Sequence, residues 1–252
     1  MLKHLMVNGK YIYYEDEGSG TPILFLHPPG VGRKIFRYQS AYLKHKYRVI
    51  TIDLSGSGDS RSCSSSPTMT ERAEEVSLFI SGLGLESVHL AGYSGGCAIA
   101  LTAAMRIPKQ IRSLILIEGF ARIDQRLHNF LYKAGIKMLE EKEEWAIRLI
   151  SGYLTNDSQL NDILRNHMRK SNLAVWISDY KNLLQFNQSV HLSKILVPTL
   201  VIQKNPYKAG AEFNRIPGIQ VVYVKERGSL LMKKWEKVNG EIDSFIRRMR
   251  FS

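Results

Sequence analysis

Short apolar runs alternate with amphipathic stretches along most of this 252-residue chain, and that rhythm predicts an α/β architecture built on a mainly parallel sheet. Residues 2–7 and 11–15 flank Asn8-Gly9, a pair suited to a two-residue hairpin. Further strand-length runs follow at 23–26, 48–53, 87–90, 111–117, 198–203 and 219–224, which with the hairpin makes an eight-stranded sheet. Each run is rich in Val, Ile and Leu and bounded by Gly, Pro or polar residues, the pattern of strands covered on both faces. A helix is expected over 36–43. Thr68 and Glu71 form a capping-box pattern before a second helix, in which Ala73, Val76, Phe79, Ile80 and Leu83 share one face. Leu231, Trp235, Val238, Ile242, Phe245 and Met249 recur at helical spacing and predict one continuous helix near the C-terminal end.

Between 120 and 190 the rhythm changes: helix-length amphipathic segments follow one another with no strand between them. The pattern predicts a core formed by 1–119 and 191–252, interrupted by a helical cap over 120–190. Phe120, Phe130, Leu131, Trp145, Leu149, Tyr153, Trp176, Tyr180 and Phe186 give this cap a large apolar inventory. Most of it is expected to pack cap against core, with the remainder roofing a mostly hydrophobic pocket.

Charge and cysteine content narrow the functional classes. The net charge of +12 is dispersed among separate Lys and Arg groups without aromatic interleaving or a zinc or helix-turn-helix signature, so no nucleic-acid partner is expected. Such a charge does favour anions near clefts. Cys63 and Cys97 are too few for a disulfide framework and lack metal-ligand spacing, and Cys97 is expected to be a small buried helix residue. There is no Gly-rich phosphate loop of the dinucleotide or P-loop type, so neither a nucleotide cofactor nor a metal is expected. The longest apolar runs fall short of a membrane span and the first residues lack a signal-peptide pattern, which together predict a cytoplasmic protein without a membrane partner.

The chemistry is concentrated at Ala91-Gly92-Tyr93-Ser94-Gly95-Gly96, a G-x-S-x-G that directly follows one expected strand and directly precedes a helix. In that context Ser94 is a candidate nucleophile on a tight strand-to-helix turn. Three further motifs occur in order at strand ends: His27-Pro28-Pro29-Gly30, then Asp53-Leu54-Ser55-Gly56-Ser57-Gly58-Asp59-Ser60, then Val197-Pro198-Thr199-Leu200-Val201-Ile202. Together the four resemble the cap-bearing α/β-hydrolases of the esterase and prolyl-aminopeptidase-like branch, and the resemblance spans the whole chain. It implies the α/β-hydrolase fold, a serine nucleophile, and oxyanion donors from Gly95 and from the loop His27 to Gly30.

The same resemblance exposes three departures. Pro28 and Pro29 have no backbone N–H, so Pro29 either removes an oxyanion donor or only stiffens its loop, and Gly30 or its neighbour Val31 is left to substitute. The usual acid is absent from Gln203-Lys204-Asn205-Pro206-Tyr207-Lys208; Glu118, after the strand at 111–117, is the candidate acid, or else a ligand for loop backbone. Ser229 occupies the place of the usual histidine, and loss of that base costs roughly a millionfold in turnover in a serine protease. Among the other imidazoles, His128 and His167 lie in the cap, where each is expected to be a surface or cap-packing residue, with pointing down at Ser94 as the alternative. His191 is expected to cap a short helix, and His4, His45 and His89 are expected to be remote or structural. Asp53 and Asp59 are expected to brace turns. Two functions therefore stand open: a serine hydrolase acting weakly or unconventionally on a small, mostly apolar acyl or ester compound, or an inactive relative that binds a small ligand or a protein partner. Oligomeric state is not readable from the chain.

Overall fold

The computed structural model describes residues 2–60, 67–123, 126–205 and 211–249, the side chains of 126–128 and 211 excepted. Cys63 and the serine-rich stretch at 62–66 lie outside the described residues, as do 206–208 of the segment expected to hold the acid. The eight strands are β1 (Leu2–Val7), β2 (Lys10–Glu17), β3 (Pro22–Leu26), β4 (Arg48–Ile52), β5 (Val88–Tyr93), β6 (Ile111–Ile117), β7 (Thr199–Gln203) and β8 (Gln220–Tyr223). They form one sheet in the order β1-β2-β4-β3-β5-β6-β7-β8. β1 and β2 pair antiparallel through the Asn8-Gly9 turn and β2 pairs antiparallel with β4, while every pairing from β4 to β8 is parallel.

The helices are α1 (Arg37–Leu43), α2 (Met69–Gly82), α3 (Gly96–Arg106), α4 (Arg126–Leu154), α5 (Ser158–Met168), α6 (Leu173–Gln185), α7 (Leu230–Lys233) and α8 (Trp235–Arg248). Two-residue periodicity divides the strand side chains between the sheet faces. Leu24, Leu26, Leu90, Leu114 and Leu116 join the layer with α2 and α3, whereas Ile23, Phe25, Ala91, Tyr93, Ile115 and Ile117 join that with α1, α7 and α8. The α2 capping box forms as expected: Thr68 Oγ1 accepts from the Glu71 N–H and the Glu71 carboxylate accepts from the Thr68 N–H. Cys97 is buried on α3, and burial pushes its thiol well above the ordinary range.

Two expectations need correction. The C-terminal helical run is broken at Lys234, whose φ of −127° and ψ of 33° separate α7 from α8. Leu230, Leu231 and Met232 are all buried in succession, which one amphipathic helix cannot achieve, so the chain turns before α8 presents Val238, Ile242, Phe245 and Ile246 to the core. The second concerns the insertion between β6 and β7. Its helices α4 to α6 are there, with a single bridge between Arg122 and Asn187 at its two ends, but Phe130, Leu131, Trp145, Leu149 and Tyr153 of α4 are exposed rather than packed inward. Of the aromatic residues, Trp176 and Phe186 are buried, with Phe120, Tyr132 and Tyr180 partly so, and the other inward apolar contacts come from aliphatic residues such as Leu139, Ile147, Leu164, Met168 and Leu183.

Polar contacts hold the α5–α6 corner to the strand ends. The Asn172 N–H donates to the Gly56 carbonyl at 2.8 Å, Ser171 Oγ donates to the Gly30 carbonyl at 2.9 Å, and the Gly58 N–H donates to Ser171 Oγ at 2.9 Å. Fully buried Arg72 on α2 joins Asp179 of α6 at 2.7 Å and donates to the Ser55 carbonyl at 2.7 Å. Replacing Arg72 by Met strands the Asp179 charge and should cost roughly 3–5 kcal/mol, whereas Arg72→Met with Asp179→Leu should recover most of that loss. Thermal unfolding followed by circular dichroism checks this; a single variant melting with the parent would refute the clamp.

Candidate active site

Ser94 lies at the tip of β5 with φ +50°, a left-handed conformation that side-chain-bearing residues adopt only under constraint. The constraint is visible. The Ser94 N–H donates to the Ile117 carbonyl at 2.9 Å, and its own carbonyl accepts from the Cys97 N–H at 3.0 Å as α3 begins. A side chain on Gly96 would meet the Leu26 carbonyl oxygen at 2.2 Å, so only glycine lets α3 start this close to β3. Ser94 is left half-buried, with its hydroxyl at the C-terminal edge of the sheet.

The loop after β3 is a tight turn in which the Val31 N–H donates to the Pro28 carbonyl at 3.2 Å and Gly30 takes φ +71°. That is the type II pattern, with Pro29 and Gly30 at its two central positions. Pro28 and Pro29 lack an N–H and that of Val31 is engaged, so Gly30 is the one position of the turn left with a free amide to offer. It is closely covered: a Cβ at Gly30 would stand 1.9 Å from the Trp176 ring. Gly95, the other donor position, is approached less tightly: a Cβ there would meet Pro29 at 2.7 Å and Leu183 at 2.9 Å. His27 is structural: its Nε2 accepts from the Leu54 N–H at 3.0 Å and its Nδ1 bonds the Pro28 carbonyl at 2.8 Å. Burial lowers its pKa to about 4 against the pull of Asp53, so the ring is neutral at pH 7.

Ser229 is fully buried at the start of α7, where its hydroxyl bonds the Tyr93 phenol at 2.8 Å. Glu118 follows β6 with φ +51°, its N–H donating to the Ile202 carbonyl at 2.9 Å. One oxygen of its carboxylate accepts from the Leu230 N–H at 2.7 Å and the other pairs with the Lys204 ammonium. The carboxylate also interacts with the Tyr93 phenol, and burial followed by the Glu118 charge pushes that phenol well above its ordinary range. Burial raises Glu118 as well, with Lys204 opposing. Lys204 itself feels burial, which disfavours its charge, but the Glu118 carboxylate prevails and holds the ammonium above its usual range. The role of Lys204 was not anticipated, although a lysine in place of the expected acid was the available signal.

No described imidazole bonds Ser94. His167 instead points from α5 to Asp53, with Nε2 at 2.9 Å from the carboxylate. His89 bonds Ser113, while His4, His45 and His191 are exposed; the His128 side chain lies outside the described residues. The group facing Ser94 is the phenol of Tyr132 on α4, unforeseen in the sequence. Burial and the neighbouring Tyr180 raise its pKa, so the phenol remains protonated at neutral pH and cannot take the serine proton. Tyr132 stands edge-on to Tyr180 at 5.3 Å and to Phe120 at 6.1 Å.

Asp53, Asp59 and His167 bring three potential metal-ligand atoms within 4.8 Å of one another. Their negative charge is already answered from within the protein. Arg33 pairs with both carboxylates, and Lys170 reaches Asp59 at 2.7 Å. Asp53 also accepts from the N–H groups of Arg33 and Asp59, so it does brace the turn around it. Although burial opposes its charge, bonds from His167 and the Arg33 guanidinium bring its pKa down to about 2. The donor set therefore suits a salt-bridge cluster better than a metal centre.

A strained serine between a parallel strand and a helix, with a glycine amide beside it, defines the class of proteins that carry nucleophile elbows. A family model described as alpha/beta hydrolase fold matches residues 21–189, more than half the chain, and the chain belongs to that family. It is 34% identical over 113 residues to a putative carbamate hydrolase of Azorhizobium caulinodans, an overlap covering 45% of this chain and 43% of that protein. It is 26% identical over 261 residues to the dihydrolipoyllysine-residue acetyltransferase component of the acetoin cleaving system of Pseudomonas putida, covering 96% of this chain and 68% of that one. An esterase from Exiguobacterium antarcticum superposes with a TM-score of 0.89 at 23% identity, covering 98% of this chain and all of the esterase, which shows a shared fold. Among the described residues no helix is long and apolar enough to cross a membrane.

The buried neutral His27 has a consequence for acid stability. Its folded pKa of about 4 lies below the ordinary 6.5, so the unfolded chain binds a proton that the folded chain does not. Stability from this group is complete above pH 6.5 and is lost as pH falls to 4, on the order of 3 kcal/mol. Asp53 adds a further loss only below its ordinary 3.8. Urea unfolding at pH 7, 5 and 4 should show the decline, and His27→Gln should flatten it; a parallel decline in both proteins would refute the assignment.

Proposed function

We propose that the Ser94 elbow is the binding site for a small, mostly apolar acyl or ester compound, with α4 to α6 acting as its cap, and that hydrolysis there is weak. The elbow supports the first part. A carbonyl placed over Ser94 has the Gly95 amide, and that of Gly30 once Trp176 yields, as hydrogen-bond donors. The observation that carries the second part is the identity of the group against Ser94: a protonated phenol, Tyr132, stands there instead of an imidazole. A neutral serine hydroxyl with no base attacks poorly, because its proton has nowhere to go as the bond to the carbonyl forms.

Ser229 supports the same reading, since a hydroxyl tied to Tyr93 stands at the position that would hold a general base. A second reading, a cap-bearing binder with no turnover, is favoured by the side chains of Pro29 and Leu183 crowding Gly95. Relatives named as hydrolases support the first reading for this chain, and the two are separable by experiment.

Labelling with a fluorophosphonate probe and hydrolysis of a short-chain activated ester, each run beside Ser94→Ala, test whether Ser94 is nucleophilic. Slow labelling and slow hydrolysis that vanish in Ser94→Ala are expected; identical behaviour of the two proteins removes the hydrolytic reading. Ser229→His should raise kcat/KM for the ester by about tenfold or more, because the Glu118 carboxylate already stands at the adjoining Leu230 amide to orient the new ring. No gain would mean that the missing base is not what limits turnover.

A further inference from the structure

We propose that Lys204 is a carboxylate-recognition residue of the Ser94 site, so that the preferred ligand has an apolar acyl body and an anionic end. This rests on the reading of the elbow as a ligand site and adds the chemical class of what enters it. Placement comes from the sheet register. Tyr93 of β5 pairs with Ile117 of β6, which pairs with Ile202 of β7. Ser94 is therefore one residue beyond, and Lys204 two residues beyond, a single transverse row. Two inter-strand spacings put their backbones about 10 Å apart along the carboxyl edge of the sheet, where ligands of parallel α/β folds bind. That is the reach of a small acyl compound.

The side chain also has spare capacity. Lys204 carries three N–H donors, and among the described residues its hydrogen-bonding partners are the Glu118 carboxylate and the Tyr153 phenol, with the ammonium lying 5.0 Å from the centre of the Tyr153 ring. Its side chain is 25% exposed, so the ammonium is reachable without being bathed in water. Glu118 does not belong to Lys204 alone: its other oxygen is engaged by the Leu230 amide, which spreads its charge over several donors. At the Ser94 end the groups close by are apolar or neutral: the Tyr132 phenol beside Ser94, Leu183 against Gly95 and Trp176 against Gly30. A partly exposed cation about 10 Å along the sheet edge from Ser94 selects for an anion at the far end of a ligand whose acyl group lies at Ser94. The net charge of +12 would draw such a ligand inward.

Isothermal titration calorimetry of the whole protein with two matched pairs tests this: hexanoate against hexanamide, and 4-phenylbutyrate against 4-phenylbutanamide. The acid of at least one pair should bind about tenfold more tightly than its amide, and Lys204→Met should erase the difference while leaving amide affinity in place. Glu118→Gln, whose side-chain oxygen still accepts from the Leu230 amide, should strengthen acid binding severalfold by freeing the lysine from its internal partner. No acid preference in either pair, or a preference that survives Lys204→Met, overturns the proposal. If Lys204→Met does not fold, Glu118→Gln decides alone, and unchanged or weakened acid binding overturns it. Ser94→Ala should keep the acid preference, so a failure of Ser94 labelling and a failure of carboxylate recognition are read separately.

Discussion

The contact between the first turn of α3 and the end of β3 governs the geometry of the whole site. Gly96 seats its backbone against the Leu26 carbonyl, and nothing larger than hydrogen fits there. Because α3 begins so close to the sheet, β5 must reverse within one residue, and that residue, Ser94, is forced to positive φ. The strain is held by bonds on either side, to Ile117 of the neighbouring strand and to Cys97 of the helix. The position of this half-buried serine at the strand end is thus a product of backbone packing. It persists whether or not the groups that would activate it are present, which is why the elbow is a poor witness to catalysis by itself.

Beyond the tips of β5, β6 and β7 lies a set of satisfied polar groups. Tyr93, Ser229, Glu118, the Leu230 amide and Lys204 form a wall in which hydroxyl, carboxylate and ammonium answer one another. Burial makes each of these groups costly if left alone. The wall is consequently stable as it stands: its carboxylate is engaged and its phenol stays protonated. The oxyanion loop shows the same economy, its prolines fixing a turn that engages the Val31 amide and leaves Gly30 under Trp176.

The sheet was largely legible in the chain because buried parallel strands announce themselves as apolar runs between breakers, and the capping box at Thr68 and the elbow at Ser94 are local patterns with local causes. The break at Lys234 was not legible, since the spacing from Leu231 to Met249 fits one helix until the burial of three consecutive residues is known. The outward face of α4 escaped for a related reason: periodicity reports that an apolar stripe exists and not which neighbour receives it. At the site, the absence of histidine and acid could be seen by position. The contacts Tyr132 to Ser94 and Lys204 to Glu118 join residues far apart in sequence and obey no spacing rule. His167 illustrates the limit well, for its place in the insertion was plain, while its attachment to Asp53 depended on how α5 docks.

That docking bears on how a ligand reaches the elbow. The α5–α6 corner is tied down by charged and backbone bonds, through Asp53, Asp59, Gly30, Gly56 and the Arg72–Asp179 pair. α4 meets the elbow differently, by the rings of Tyr132 and Phe120, and its helical geometry fails at Lys142, where φ is −149° and ψ is 58°. Directional bonds between buried charges resist displacement far more than edge contacts between rings, whose energy is small and tolerant of sliding. The Tyr132 half of α4 is therefore held less firmly over Ser94 than the α5–α6 corner is over Gly30.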